Sequence, residues 1–243
     1  NTDWNDVLFR DVFNQEYNVS MSGGSDRAHY YASAGYYQEQ GTVKGVENDR
    51  FNVTLKTDFK INKLLKVGAS IFSNQRNQKS YMTDAAGFTN PVYYSRMANP
   101  YFEPYDAEGN YIYDTNVQGR ESEVPDFNVF EERKNTSKNR KDRSLMAIFD
   151  AELKFNNNLK LTTQYGLQHD NYTLKRYAGH NSYAMRKEKE YATFIIDGVK
   201  KSIFPDGGMN KQTESNTDQW TWKAMLEWNN RFNDIHDVEL MGG

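Results

Sequence analysis

The sequence predicts an all-β protein, with antiparallel up-and-down strands forming part of a large transmembrane β-barrel. Three observations predict it. Polarity repeats every two residues rather than every 3.6. One face of most of the repeating segments carries no charge. The connections between those segments alternate short and long.

Composition sets the frame. The 243 residues are 37% hydrophobic and 26% charged, and mean hydropathy is −0.92. Disordered chains contain few aromatics, whereas aromatics here reach 14%, with 17 Tyr and 14 Phe. Strands alternating polar and apolar residues, joined by polar loops, reconcile the two values. A net charge of −3 gives no basic, clustered footprint, so nucleic acid is excluded as a partner. Cysteine is absent, which excludes a disulfide framework, a thiol nucleophile and a Cys-based metal site. No run of about 18 apolar residues exists, so no transmembrane helix is expected.

Eight strands are expected, at about 17–23, 27–38, 50–61, 64–76, 144–155, 159–169, 218–230 and 236–243. Five have a cleanly uncharged face. These faces are Phe51, Val53, Leu55, Thr57, Phe59 and Ile61; Leu65, Val67, Ala69, Ile71 and Ser73; Leu145, Ala147, Phe149, Ala151, Leu153 and Phe155; Leu159, Leu161, Thr163, Tyr165 and Leu167; and Trp220, Trp222, Ala224, Leu226 and Trp228. The charge sits on the other faces: Lys56, Asp58, Lys60, Lys66, Asp150, Glu152, Lys154, Lys160, Lys223 and Glu227.

A soluble sandwich also alternates, because one face meets its core. The connections discriminate. Gly23-Gly24-Ser25-Asp26, Asn62-Lys63, Asn156-Asn157-Asn158 and Asn233-Asp234-Ile235 are short, and 39–49, 77–143 and 170–217 lie between them. Transmembrane barrels have short periplasmic turns and longer extracellular loops. A Greek-key sandwich has no reason to obey that rule. The domain reading is therefore a partial barrel over 1–243, with strands at about 17–76, 144–169 and 218–243 and long extracellular loops at 77–143 and 170–217. A Lys or Arg facing lipid at mid-depth costs about 2–4 kcal/mol, which accounts for a face without charge. The inner face of a wide barrel is wet or packed against a plug. Trp220, Trp222 and Trp228 sit where an aromatic girdle belongs, or else form an ordinary aromatic core strand.

Both ends read as internal to a longer chain. Asn1-Thr2-Asp3-Trp4 shows neither an initiator Met nor a signal peptide, and Leu240-Met241-Gly242-Gly243 stops inside an expected strand.

Several segments together resemble the SusC/RagA family of TonB-dependent outer-membrane transporters. They are Asn1-Thr2-Asp3-Trp4, Tyr17-Asn18-Val19-Ser20-Met21-Ser22-Gly23-Gly24-Ser25, Tyr30-Tyr31-Ala32-Ser33-Ala34-Gly35-Tyr36, Gln40-Gly41, Arg50-Phe51-Asn52-Val53-Thr54-Leu55-Lys56-Thr57-Asp58 and Leu65-Lys66-Val67-Gly68. The resemblance covers 1–75; beyond it, 144–170 and 218–243 match only in barrel-strand style. It implies a 22-stranded barrel in the bacterial outer membrane, a plug domain absent from this chain, energy coupling through TonB, a surface lipoprotein lid of the SusD type, and glycan or peptide substrates. Outer-membrane lipid is the remaining implied partner.

Site residues are expected in the longest loop. Tyr93, Tyr94, Tyr101, Phe102, Tyr105, Tyr111 and Tyr113 are candidates for ligand or lid contact, since aromatic faces stack on sugar rings and contact peptides; packing of the loop itself is the competing reading. Asp106, Glu108, Asn110 and Asp114 have the look of an oxygen-ligand set for Ca²⁺, but Glu108-Gly109-Asn110 reads better as a turn, and no metal is expected. The four histidines show no HExxH spacing, and no P-loop, GxSxG or dinucleotide fingerprint is present. No catalytic residue and no cofactor follow, so the chain is not read as an enzyme. Lys134 to Arg143 reads as a solvated loop end, with lipopolysaccharide phosphates as an alternative partner. The competing functions are a secreted all-β carbohydrate-binding module and an all-β hydrolase with two carboxylates about 5–10 Å apart.

Overall fold

The computed structural model describes residues 1–115, 127–191, 193–202, 207–233 and 235–243. Parts of the two long connections, and Asp234 of the expected turn Asn233-Asp234-Ile235, lie outside the described residues.

Eight strands form one sheet: β1 (Gln15–Gly24), β2 (Ala28–Gln40), β3 (Glu47–Lys60), β4 (Leu65–Ser80), β5 (Thr136–Lys154), β6 (Leu159–Ala178), β9 (Met209–Phe232) and β10 (His236–Gly242). Their order is β1-β2-β3-β4-β5-β6-β9-β10, every pair antiparallel. Between β6 and β9 lies a separate hairpin of β7 (Thr193–Ile196) and β8 (Val199–Ser202). The fold is all-β and up-and-down, as the alternation predicts.

Register joins the apolar faces into one surface. A single row runs Met21, Ala32, Leu55, Ile71, Ala147, Leu167, Trp220 across seven strands. A lower row runs Leu65, Leu153, Leu161, Leu226 and reaches Gly242 on β10. Because side chains alternate faces, a one-residue slip in any pair would carry its apolar set to the opposite side. The other face carries the charge, with Asp58, Gly68, Asp150, Gln164 and Lys223 in one row, though Phe72, Met146 and Ile148 also lie on it.

The short turns share one end of the sheet and reuse one device. Asn62 Oδ1 accepts the backbone N–H of Leu64 and of Leu65, at 2.8 and 2.9 Å. Asn156 Oδ1 does the same for Asn158 and Leu159, both at 2.8 Å. Such Asx turns mimic a backbone turn, which is why Asn recurs there.

Toward the long connections the strands outrun the alternation. β5 begins at Thr136 rather than 144, β6 ends at Ala178 rather than 169, and β9 begins at Met209 rather than 218. The added residues of β5 and β9 are almost all polar on both faces, and those of β6 scatter Tyr172, Leu174 and Tyr177 over both, so no amphipathic signal marks them, while the antiparallel ladder continues unbroken.

The long connections fold into a cap on that end. It holds α1 (Trp4–Leu8), α2 (Pro91–Met97), α3 (Val129–Asn135) and α4 (Tyr183–Tyr191). Asp3, Asn90 and Asn128 side chains accept N–H groups of the first turns of α1, α2 and α3, the standard remedy for orphan helix donors. Helices of five to nine residues are too short to stand alone. They are held by a core of Trp4, Leu8, Tyr94, Phe127, Val129 and Tyr183.

Candidate functional site

The core of the cap is aromatic. Trp4 meets Tyr94 edge-on at 5.1 Å and stacks on Phe102 at 6.0 Å. Its Nε1–H donates to the Asn99 carbonyl at 3.0 Å. Phe127 packs edge-on against Phe88, Tyr94 and Tyr183 at 4.9, 5.4 and 5.6 Å. Edge-to-face pairs add about 0.5–1.5 kcal/mol each beyond burial. The N-terminal segment and both long connections are thereby tied together.

The seven aromatic residues singled out from sequence divide by this packing. Tyr94 is 0% exposed; its hydroxyl donates to the buried Asp114 at 3.0 Å, and burial pushes its pKa up. Phe102 packs against the same core. Tyr113 donates its hydroxyl to Glu131 at 3.2 Å and carries the Arg186 guanidinium 4.8 Å over its ring. Tyr93 and Tyr101 are exposed, at 50% and 79%. Tyr105 and Tyr111 pair with each other at 5.4 Å, and Tyr105 also meets Phe130 at 5.3 Å. These two line a groove of about 600 Å³ with Lys44, Tyr81, Arg133 and Lys134. The Arg133 guanidinium lies 5.2 Å over the Tyr81 ring and donates to the Lys44 carbonyl.

Asp106 makes a turn. Its Oδ1 accepts the backbone N–H of Glu108 and of Asn110, at 3.0 and 2.7 Å, and its Oδ2 accepts the Asn110 side-chain amide at 2.9 Å. These hydrogen bonds hold its pKa below the usual carboxylate range. Gly109, at φ +84°, completes the turn. Asp114 faces the aromatic core, so the four spaced oxygens do not converge, and no group of three or more candidate metal ligands occurs among the described residues.

Glu132, which the sequence did not single out, is the key polar group of the cap. It is buried, and its carboxylate accepts the backbone N–H groups of Tyr183 and Ala184, closing the start of α4. Desolvation is the largest influence and raises its pKa to about 7, against the opposing pull of those N–H groups and of Arg186. A carboxyl whose pKa is raised on folding stabilises fully below its unfolded value of about 4.5 and loses that contribution as pH rises through about 7. The shift corresponds to about 3 kcal/mol. Amide exchange at Tyr183 and Ala184 is therefore expected to be slower, after correction for intrinsic rates, at pH 5 than at pH 8. Glu132→Gln should flatten that difference; an unchanged pH dependence in the variant would assign it elsewhere.

The polar face of the sheet carries its own constellation. Asp142 accepts Arg76 Nε and Nη2 at 3.0 and 2.8 Å, and Arg140 Nε at 3.0 Å. The Arg50 and Arg140 guanidiniums lie over the Tyr37 and Tyr172 rings at 5.4 and 4.9 Å. Tyr37, Arg50, Arg76, Asp142 and Tyr172 line a groove of about 710 Å³. Nearer the short turns, Lys160 pairs with Glu227 at 2.7 Å. A side chain at Gly68 would come within 2.9 Å of both Asp58 Oδ1 and Asp150 Oδ2, so glycine lets the two carboxylates flank β4.

No family model matches the chain. TonB-dependent receptor P3 of Formosa agariphila is 25% identical over 247 aligned residues, covering 100% of this chain and 22% of the receptor. TonB-dependent receptor SusC of Bacteroides thetaiotaomicron is 28% identical over 114 residues, covering 46% of this chain and 11% of SusC. The homologues are thus receptors by name rather than enzymes, and the chain spans under a quarter of their length. A solved structure of the RagAB peptide transporter superposes with a TM-score of 0.71 at 19% identity, over 98% of this chain and 25% of that chain. The same transporter in a closed-closed state gives 0.70.

Proposed function

We infer that this chain, a homologue of TonB-dependent receptors that include SusC, is part of the barrel wall of an outer-membrane transporter of the SusC/RagA type. Its long connections face the outside, and the polar face of the sheet lines the lumen. The whole transporter imports oligosaccharides or peptides together with a SusD-like surface lipoprotein, driven by TonB through a plug outside this segment. The supporting observation is the height of the continuous uncharged face. From Leu145 to Phe155 the strand climbs about 33 Å at about 3.3 Å per residue. A tilt of about 45° projects that to about 23 Å, against the 25 Å or so of an outer-membrane apolar band.

The carbohydrate-binding sandwich needs a second sheet over the apolar face. Among the described residues the only other sheet is the hairpin of β7 and β8, with four residues per strand, too small to cover it. In the cap, Tyr93, Tyr101, Tyr105 and Tyr111 are the aromatics a ligand or lid can reach, while Tyr94, Phe102 and Tyr113 brace the cap itself.

The segment contains no cysteine, so within it every label reports an introduced site. Single cysteines are placed at successive positions 145–153 of the full-length receptor in membranes. Water-soluble maleimide is expected to label 146, 148, 150 and 152, and a lipid-soluble reagent 145, 147, 149, 151 and 153. Equal aqueous labelling of both sets would sink the wall reading.

A further inference from the structure

We propose that a groove on the lipid-facing side, just beyond the apolar band, binds the phosphate groups of membrane-lipid headgroups. The inference rests on the wall reading above. Past Leu145 on β5, the next positions on the same face are Arg143, Lys141 and Asn139. Lys79 on β4 and Lys175 on β6 lie directly across from Asn139, one on each side. The three central strands therefore present Lys79, Lys141, Arg143 and Lys175 on one face, around a groove of about 570 Å³. A strand spacing of about 4.8 Å puts the backbones of Lys79 and Lys175 about 10 Å apart, with Lys141 about 7 Å below their midpoint. Lysine side chains reach across such distances, so three ammonium groups can converge on one phosphate.

Charge compensation within the protein is sparse. Lys141, Arg143 and Lys175 make no ion pair among the described residues, and Lys79 has only a long contact of 3.9 Å with Glu47. The acids Glu47, Asp49 and Glu214 also line the groove, but they belong to the flanking strands β3 and β9. Between the apolar band and the lysines stand Gln75, Asn77, Asn171 and Thr173, donors and acceptors suited to ester and sugar oxygens. Along β4 and β6 the order is apolar, then hydrogen-bonding, then cationic, while on β5 Arg143 and Lys141 follow Leu145 directly. That sequence matches acyl chain, headgroup and phosphate, with lysine stems laid over the apolar edge.

The test uses the full-length receptor purified in detergent and three probes: bisphosphorylated lipid A, the same lipid with both phosphates removed, and inorganic phosphate. Lipid retention is read by native mass spectrometry. The variant K79Q/K141Q/K175Q is compared with K56Q/K66Q on the lumen face. Wild type and the lumen variant are expected to retain bisphosphorylated lipid A in preference to the dephosphorylated form. A basic residue at a membrane surface contributes about fivefold in affinity, so the triple variant should weaken retention about a hundredfold. K141E should lose more than K141Q, a dependence on sign that misfolding does not mimic. Equal retention of the two lipids, or an unaffected triple variant, overturns the proposal. Displacement by inorganic phosphate at the lipid's own concentration also overturns it, and leaves a simple anion site. A receptor that never enters bilayers would instead overturn the wall reading.

Discussion

Phe149→Arg is expected to destabilise the receptor in bilayers by about 2–4 kcal/mol, the largest single effect on the wall. Phe149 lies midway between Leu145 and Phe155 on the uncharged face and is half exposed in the isolated segment. In the wall its ring meets lipid, where an arginine at mid-depth has no water to solvate it. Depth makes the prediction specific. Leu145→Arg, at the edge of the band, should cost only about 0–1 kcal/mol. Thr162→Arg faces the lumen directly across from Glu152 and should fall within about 0.5 kcal/mol of wild type. Denaturant titration of vesicle-inserted receptor, read by heat-modifiable gel mobility, measures all three. A soluble core would penalise Leu145→Arg and Phe149→Arg alike, so equal costs at the two positions would contradict a membrane wall.

Tyr94→Ala is expected to release the cap while leaving the wall intact. Truncating a buried aromatic costs about 3–5 kcal/mol, and Tyr94 touches Trp4 and Phe127 while donating to Asp114. Those contacts join the N-terminal segment to the first long connection, so their loss frees both. Limited proteolysis of the full-length receptor should cut within 81–135 much faster in the variant, while heat-modifiable mobility stays unchanged. Tyr94→Phe keeps the ring and removes one hydrogen bond to a carboxylate, worth about 1.5–3 kcal/mol, and should fall between. An unchanged proteolytic pattern in Tyr94→Ala would mean that some other contact holds the cap.

The wall was legible because its signal is local. Val53, Leu55, Thr57 and Phe59 alternate with Asn52, Thr54, Lys56 and Asp58, and any reader of the sequence meets that period of two. The upper reaches of β5, β6 and β9 were not legible, because Ser137-Lys138-Asn139-Arg140-Lys141 offers the same polarity to both faces. Their ladder is fixed by the continuing backbone pairs rather than by side-chain contrast. The cap was illegible for another reason. Tyr93 and Tyr94 are neighbours in sequence, yet one is half exposed and the other fully buried. That difference is set by the rotation of α2, a helix of seven residues that exists only because residues as distant as Trp4 and Tyr183 pack around it. Glu132 likewise acquires its role from α4, which lies about fifty positions further along the chain.

The extra length of β5, β6 and β9 has a mechanical meaning. On the wall reading proposed above, from Trp220 at the top of the apolar band to Met209 at the end of β9, the strand rises about 25 Å above that band at the same tilt and spacing. The wall here is a mast, stiffened by ladders to its neighbours, and the cap rides at its head. A surface lipoprotein of the kind proposed above, anchored by an acyl chain and resting on that cap, would span the same height. At about 3.4 Å per extended residue, its leash needs about eight residues before the folded lid begins. A shorter leash would hold the lid down against the side of the mast.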